Sequence, residues 1–587
     1  MERNGQMSGK KLRRDISRPS ERASGLPEVV TSETEAKDVN PLAEELDLSS
    51  SKSHSSQPLP SSFSSLPLLD GLRDSVHQVL GPSASPTPIQ ALSLKHLLSD
   101  TEEWGQYLLA SETGSGKSIA YLLPMLHYLK KFELASTEPA LPAIPSQPQR
   151  ALNPRALVLA PTHELSRQLS SFAKALLHTI KLRVVCASRA NTKSTPRAAF
   201  TASKMAAQFA DDASGTLSTT HLGVSRPVDV LIGTPNKLLE MASGRRWHHR
   251  KVEMDKQLAT GPSGPRNETL SKGSEPEMGL QNIEWVVVDE ADILFGTYSL
   301  PYSDYVKLTM RVLDPDFQES TRTLLADIAA TRGRPVENTP DLIPPSQETS
   351  PTTTAPEPNP IDYPFNLILT TATIPPSLAR YLDTYHPNLT RLASPKLHRL
   401  PSTMKTEYEK WTGGNKDADT ERRIRQVWAE DSIRSDFDGK RSKILIFCNK
   451  GTKVQSLGAY LEGKGIPNIA LTKDSDARNI GNNHHLDGFL RTTNPGRKAR
   501  SYSQNEGSEP HVMITTSMLS RGLDFSPEVA HIFIVDEPRN MVDFLHRAGR
   551  SARAGHAGKV VVFGKLSGRG SAKTTEMKKK IGALRRK

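Results

Sequence analysis

The stretch Tyr107 to Leu126, YLLASETGSGKSIAYLLPML, constrains the fold of this chain more than any other. Apolar Tyr107, Leu108 and Leu109 run into a Gly-rich turn, and the turn opens into an apolar helical run from Ile119. A strand that breaks into such a turn and then a helix places several backbone N–H groups and a helix N-terminus around one point, which suits a phosphate chain. Gly114 and Gly116 allow backbone dihedrals and a close approach that a side chain would obstruct. Lys117 is then placed to reach the β- and γ-phosphates, and Ser118 to offer its hydroxyl to Mg²⁺. The general nucleotide loop has Gly where this chain has Ser111, so a plain Gly-rich turn beside a surface lysine stays open until the neighbours are counted.

The neighbours repeat the pattern of a buried strand ending in polar residues. Trp285 to Val288 is fully apolar and ends in Asp289, Glu290, Ala291 and Asp292. An acid at the carboxyl end of a buried parallel strand fits Mg²⁺ coordination opposite Ser118, and Glu290 is placed to orient an attacking water. Asn366 to Thr370 leads to Thr371, Ala372 and Thr373, hydroxyls that can relay position between the acidic turn and a partner domain. Ahead of the loop, helical apolar spacing from Leu68 to Leu80 breaks at PTPIQ, where the Gln90 carboxamide suits the N6/N7 edge of adenine. By itself that glutamine also reads as a simple helix start.

Two further junctions suit a nucleic-acid backbone. PTHELSRQ, residues 161 to 168, is a strand end turning into a helix capped by Thr162. Val228 to Ile232 leads to Gly233, Thr234, Pro235, Asn236 and Lys237 in the same arrangement. A second βα series starts near 393–405, with strands at 443–448, 512–516 and 532–535 and a helix at 455–461. It ends in HRAGRSARAG, where Arg547, Arg550 and Arg553 at roughly helical spacing suit bidentate phosphate recognition.

Composition bounds the rest. A chain of 587 residues exceeds one core, and its formal net charge of +12 points to a polyanionic partner. Cys186 and Cys448 stand outside any Cys/His ligand spacing, which argues against a zinc site and a disulfide framework. No apolar run approaches membrane-spanning length, so no membrane partner is expected. Residues 1–60 are rich in Ser, Pro and charge and are expected to be disordered. Their Arg, Lys and Ser suit an organelle-targeting segment, whereas Glu2 and Asp15 do not. Polar insertions are expected near 131–154, 241–280, 331–362 and 491–509, and 568–587 is a basic tail, either an RNA-binding arm or a solubilising end.

Together these stretches resemble the DEAD-box RNA helicases of superfamily 2, and the resemblance runs from about Phe63 to Lys565. The motifs occur in the family's order: PTPIQ, SETGSGKS, PTHEL, TPNK, DEAD, TAT, ILIFCN, TTSMLSRGLDF and HRAGRSARAG. The resemblance implies an α/β protein of two tandem RecA-like parallel-sheet domains, 61–395 and 396–567, binding ATP with Mg²⁺ and RNA across their cleft. It implies that Phe63 and Gln90 hold adenine, that Ser111, Glu112, Thr113, Gly114, Ser115, Gly116, Lys117 and Ser118 hold the phosphates, and that Asp524 contacts the ribose. Lys117, Asp289, Glu290, Arg550 and Arg553 would be catalytic, with Ser118 and Asp289 at Mg²⁺ and both arginines approaching the γ-phosphate from the second domain. RNA would lie over Pro161, Thr162, Thr234, Pro235, Lys237, Arg478, Thr516 and Gly522, while Asp292, Thr371, Thr373 and His546 couple the domains. The chain departs from the family at His163 (usually Arg), Ser517 (usually Asp) and Ala552 (usually Gly), and lacks a Gly pair after Val185. These departures bear on RNA contact more than on the phosphate site. FSSLPLL, YHPNLTRLASPKLHRLP and KDSDAR are similar to the fungal mitochondrial branch of the family that acts in large ribosomal subunit assembly. That branch implies a monomer in the mitochondrial matrix, structured or double-stranded rRNA as substrate, and ribosome-assembly proteins as possible partners.

Overall fold

The computed structural model describes residues 59–99, 103–135, 150, 152–188, 227–244, 276–295, 316–336, 359–395, 397, 399–433, 441–473, 475, 482–491, 509–552, 556–565 and 571–583. The expected disordered and targeting segment, most of the insertion tracts, Arg478 and Arg553 lie outside them. Among the described residues, seven strands form the first sheet: β1 (Gln106–Ala110), β2 (Ala156–Leu159), β3 (Val184–Ala187), β4 (Val230–Gly233), β5 (Trp285–Val288), β6 (Asn366–Thr371) and β7 (Thr390–Ala393). Their spatial order is β3-β4-β2-β5-β6-β1-β7. Six form the second: β8 (Met404–Lys410), β9 (Lys443–Cys448), β10 (Asn468–Ala470), β11 (Val512–Thr516), β12 (Val529–Ile534) and β13 (Gly558–Gly564), in the order β10-β11-β9-β12-β13-β8. The ladders within both sheets are parallel.

The sequence explains that layout. β2, β5 and β9 are buried at every position, as strands covered by helices on both faces must be. Alternate residues of β2 feed opposite cores, Ala156 and Val158 one side and Leu157 and Leu159 the other. Because the strands are parallel, every carboxyl end lies on one edge of its sheet, where a doubly wound fold binds its ligands. The covering helices are α1 (Asp70–Leu80), α2 (Pro88–Leu97), α3 (Lys117–Ala135), α4 (His163–Ala175), α5 (Pro235–Ser243), α6 (Ala291–Leu294), α7 (Asp316–Thr331), α8 (Pro376–Tyr385), α9 (Lys416–Ile433), α10 (Gly451–Gly463), α11 (Ser517–Ser520), α12 (Met541–Ala548) and α13 (Ser571–Ala583).

Three expectations shift. α3 continues to Ala135, past the expected insertion start at 131, and its end leaves Phe132 and Leu134 exposed. The arginine stretch is not one helix: α12 stops at Ala548, and Ala552 adopts φ +56. Arg547 and Arg550 therefore do not share a helical face. The basic tail contains α13, packed on the second domain through buried Met577 and Ile581.

Two buried histidines make the fold acid-sensitive. His386 is enclosed near Tyr363, Tyr381 and Phe295, with Nδ1 2.8 Å from Gln106 Oε1. Burial, helped by the Arg322 charge, pulls its pKa down from 6.5 to about 4, and burial does the same to His531. The unfolded chain then takes up protons near pH 6.5 that the folded chain refuses until about pH 4, so stability falls as pH falls through that window. Each group accounts for about 2 to 3 kcal/mol by pH 4.5. We expect His386→Gln, neutral at any pH, to lose that much less stability than wild type between pH 7.5 and 4.5 in urea titrations. Equal losses in the two proteins would refute the assignment.

Candidate nucleotide and inter-domain site

β1 hands the chain to the loop as its ladder ends, with the Ser111 N–H donating to the Thr371 carbonyl at 3.1 Å. The loop turns through Gly114 and Gly116 at φ +81 and +85, a region costly for any side-chain-bearing residue. A Cβ on Gly116 would also sit 2.2 Å from Gln90 Nε2. Lys117 Nζ lies across the loop, donating to the carbonyls of Ser111 at 2.7 Å and Glu112 at 3.0 Å. Burial lowers its pKa, opposed by Glu290 and Asp289, while Arg550 is close enough to add to the lowering.

Asp289 and Glu290 follow β5 and are buried. Asp289 Oδ1 accepts from the Thr370 hydroxyl and from the Glu290 N–H at 3.0 Å. Burial, then the adjacent Glu290 charge, pushes the Asp289 pKa up to about 6. Glu290 holds a left-handed backbone, φ +57 and ψ +52, an uncommon geometry for a non-glycine residue and one that clusters at functional sites. Its Oε2 is buried without a hydrogen-bond partner, 3.9 Å from His546 Nδ1. Tyr121, which the sequence reading missed, ties this group together: its hydroxyl lies 3.3 Å from Asp289 Oδ2 and hydrogen-bonds Ser118, and burial raises its pKa well above 10. The one signal was a tyrosine on the buried face of α3, since a buried phenol needs a polar partner.

The second domain closes over this edge. Arg521 Nη1 donates to Asp292 Oδ2 at 2.7 Å, and His546 Nε2 lies 3.2 Å from the same oxygen and 3.0 Å from Thr373 Oγ1. The Thr371 hydroxyl donates to Asp292 Oδ1 at 3.3 Å. Burial works to raise the Asp292 pKa, but Arg521 and His546 outweigh it and hold the carboxyl below the usual range. Thr113 Oγ1 donates to the Gly549 carbonyl at 2.9 Å, joining the glycine-rich loop to the turn that carries Arg550. Arg550 is buried, with Nε donating to the His546 carbonyl and Nη1 to that of Leu523. The coupling set Asp292, Thr371, Thr373 and His546 is thus in one contact group, with Arg521 added.

A second contact runs along α4. The Gln168 carboxamide grips both backbone groups of Asp524, accepting its N–H at 2.9 Å and donating to its carbonyl at 3.2 Å. Asn483 donates to the Glu164 carbonyl at 2.9 Å, and Arg167 to the Asn482 carbonyl at 3.2 Å. Gly522, at φ +69, holds a backbone conformation strained for any side chain, and a Cβ there would also lie 2.2 Å from the Leu165 side chain. Nothing in the motif spacing marked Asn483.

On the expected RNA edge, Thr162 caps α4 through the Leu165 N–H, and Thr234 and Pro235 open α5 on the neighbouring strand. Lys237 pairs with Glu240 at 3.1 Å, and Thr516 precedes α11. Gln90 is buried in a capping box: Oε1 accepts from the Thr87 N–H at 2.9 Å and Nε2 donates to the Gly116 carbonyl at 3.1 Å. The adenine-stacking expectation for Phe63 is corrected: its ring is fully buried in the core and offers no open face, because the 3₁₀ turn at 63–65 packs it inward.

Two of the departures find reasons. Ser517 stands between charges, donating to Asp543 Oδ1 and accepting from Arg547 Nε, both at 2.7 Å, so Asp543 supplies the negative charge for buried Arg547. Ala552 sits at φ +56, where glycine carries no strain. We expect Ala552→Gly to leave stability unchanged or raise it by up to about 1 kcal/mol, relief of left-handed strain outweighing the added freedom of the unfolded chain. A fall of more than about 1 kcal/mol in the denaturation curve would contradict this.

Comparison with known proteins agrees with this geometry. The DEAD/DEAH box helicase family matches residues 87–339, and the helicase conserved C-terminal domain matches 431–555. "ATP-dependent RNA helicase MRH4, mitochondrial" of Cryptococcus neoformans is 30% identical over 556 residues, spanning 86% of this chain and 83% of that protein. The like-named protein of Sclerotinia sclerotiorum is 25% identical, over 86% and 74%. Among solved structures, S. cerevisiae Dbp5 bound to RNA and ADP BeF3 superposes with a TM-score of 0.51 at 16% identity, covering 89% of this chain and 94% of that one. DEAD-box helicase Mss116 bound to ssRNA and UDP-BeF gives 0.51 at 16% identity, over 84% and 73%. At that identity these two likenesses establish the fold.

Proposed function

This chain belongs to the DEAD-box family of ATP-dependent RNA helicases, and from that premise we propose that it remodels short ribosomal RNA duplexes in the mitochondrial matrix during large-subunit assembly. The observation that carries the ATP-driven part is the joint at Asp292, where Arg521 and His546 of one domain meet the acidic turn of the other. The matrix and ribosomal parts lean on relatives named mitochondrial and on the narrower resemblance in the linker and KDSDAR segments.

The residues fit nucleotide and metal. Ser118 and Asp289 are hard oxygen donors held together by Tyr121, and the raised Asp289 pKa marks a carboxylate that a divalent cation would stabilise. When bound, Mg²⁺ and ATP supply the phosphoryl group and the charge that polarises it. Lys117 and the loop N–H groups would hold the phosphates, and the orphaned Glu290 Oε2 would accept a hydrogen bond from the attacking water and orient it. Arg550, brought beside Lys117 by closure, stabilises the charge that develops. RNA runs along the Thr162, Thr234 and Thr516 ends, contacted at phosphate and 2′-OH with little base reading. Hydrolysis opens the joint and releases the strand.

A second reading, an ATP-gated RNA clamp with little turnover, is favoured by the contacts along α4 and by His163 and Ser517 on the RNA side. Strand separation of a short duplex separates the readings. The helicase reading expects ATP-dependent unwinding and RNA-stimulated phosphate release by wild type, and loss of both in Glu290→Gln with RNA binding kept. RNA retention with ATP but without phosphate release would replace the helicase by the clamp.

A further inference from the structure

We infer that Tyr121 and Thr370 are positioning residues that set how tightly the nucleotide site holds its divalent cation, by fixing which atoms of Ser118 and Asp289 face it. The inference rests on the nucleotide reading of the site and adds to it two hydroxyls outside the motif residues. Both side chains are fully buried, and local geometry explains where they meet the site. Ser118 and Tyr121 stand three residues apart on α3, so they share one helix face. β6 pairs with β5 in the register Val288 to Leu369, which brings the next residues, Asp289 and Thr370, side by side at the carboxyl end of the sheet.

The hydrogen bonds around Asp289 run in one direction. An ionised carboxylate only accepts, so the Tyr121 phenol donates to Asp289 Oδ2, at 3.3 Å, and its own oxygen is left to accept from the Ser118 hydroxyl. The Ser118 proton is thereby engaged, and that hydroxyl has only lone pairs to offer. On the other carboxylate oxygen, Oδ1 accepts from the Thr370 hydroxyl and from the Glu290 N–H at 3.0 Å. Of the roughly four lone-pair positions of a carboxylate, described residues fill three, and the one left is on Oδ2, the oxygen that Tyr121 holds. A hard cation takes oxygen lone pairs in a demanding arrangement. Ser118 and Asp289 therefore meet it, directly or through a bound water, already turned. Without the phenol, the Ser118 proton is free to turn to Asp289 Oδ2 and fill that last position. Without the Thr370 hydroxyl, the carboxylate keeps one anchor on Oδ1 and rotates more freely.

Binding measured without turnover tests this. Full-length protein is titrated with a fluorescent, non-hydrolysable ATP analogue across a series of free Mg²⁺ concentrations and in EDTA. Tyr121→Phe and Thr370→Val each remove one hydroxyl and little volume. Each should raise the free Mg²⁺ needed for half of the metal-dependent gain in affinity by about tenfold or more. Affinity in EDTA should stay at the wild-type value, and phosphate release should recover once Mg²⁺ is saturating. Thr370→Ser, which keeps the donor, should restore the wild-type midpoint, whereas a packing defect would be made worse by the lost methyl. An unchanged midpoint in both variants, or an equal loss of affinity with and without Mg²⁺, would overturn the inference. A wild-type chain with no Mg²⁺-dependent binding of the analogue would instead sink the nucleotide reading on which it rests.

Discussion

Arg550→Ala should lower RNA-stimulated kcat by about 10³ or more while ATP affinity changes no more than a few-fold. Arg550 is buried and rigidly held by the carbonyls of His546 and Leu523, and it reaches the loop only because Thr113 and Gly549 bring the two domains together. A guanidinium fixed in that way acts on charge that appears during phosphoryl transfer, so its loss costs about 4 kcal/mol in the barrier. Ground-state nucleotide affinity is expected to stay with Lys117 and the loop of the other domain. Arg550→Lys should recover little, because a single ammonium cannot reproduce the planar fork that makes the two carbonyl contacts. Phosphate-release kinetics beside an ATP titration decide the matter, and a kcat within tenfold of wild type would remove Arg550 from the role.

Asp292→Ala should uncouple the domains. It leaves Arg521 and His546, both buried, without the carboxylate that compensates them. Breaking a buried pair from one side costs about 3 to 5 kcal/mol, and here the cost falls on the closed arrangement alone because the partners come from different domains. RNA-stimulated turnover should fall by about 10² to 10⁴, with nucleotide binding and the melting of each domain little changed. A dye pair with one label on each sheet domain should report loss of closure in ATP and RNA. Normal closure with low turnover would show that Asp292 acts elsewhere.

Much of the site was legible in the sequence because each piece is local. A strand of four or five buried residues followed by glycines, hydroxyls or acids announces its own carboxyl end, which is why β1, β5 and β9 and the residues after them fall where the sequence reading put them. The helix capped by Thr162 and the helical start within PTPIQ, at Pro88, are equally local. What was not legible depends on distance in the chain. Gln90 spends its carboxamide on Thr87 and Gly116 because the neighbouring loop passes within reach. Phe63 is buried because the core covers it, and the arginine stretch breaks at Gly549 where an uninterrupted helix was expected. Asn483 and Tyr121 carried no motif at all.

The sequence by itself determined the two parallel sheets, the glycine-rich loop between β1 and α3 and the order of the polar strand ends, because hydrophobic runs and turn residues act over a few positions. Only the tertiary structure decided which of those ends meet. Tyr121 joins Ser118 to Asp289, and Asp292 takes Arg521 and His546 from the other domain. These pairings follow from burial and from the need to neutralise charge in a low-dielectric cleft, and neither is defined until the domains have packed.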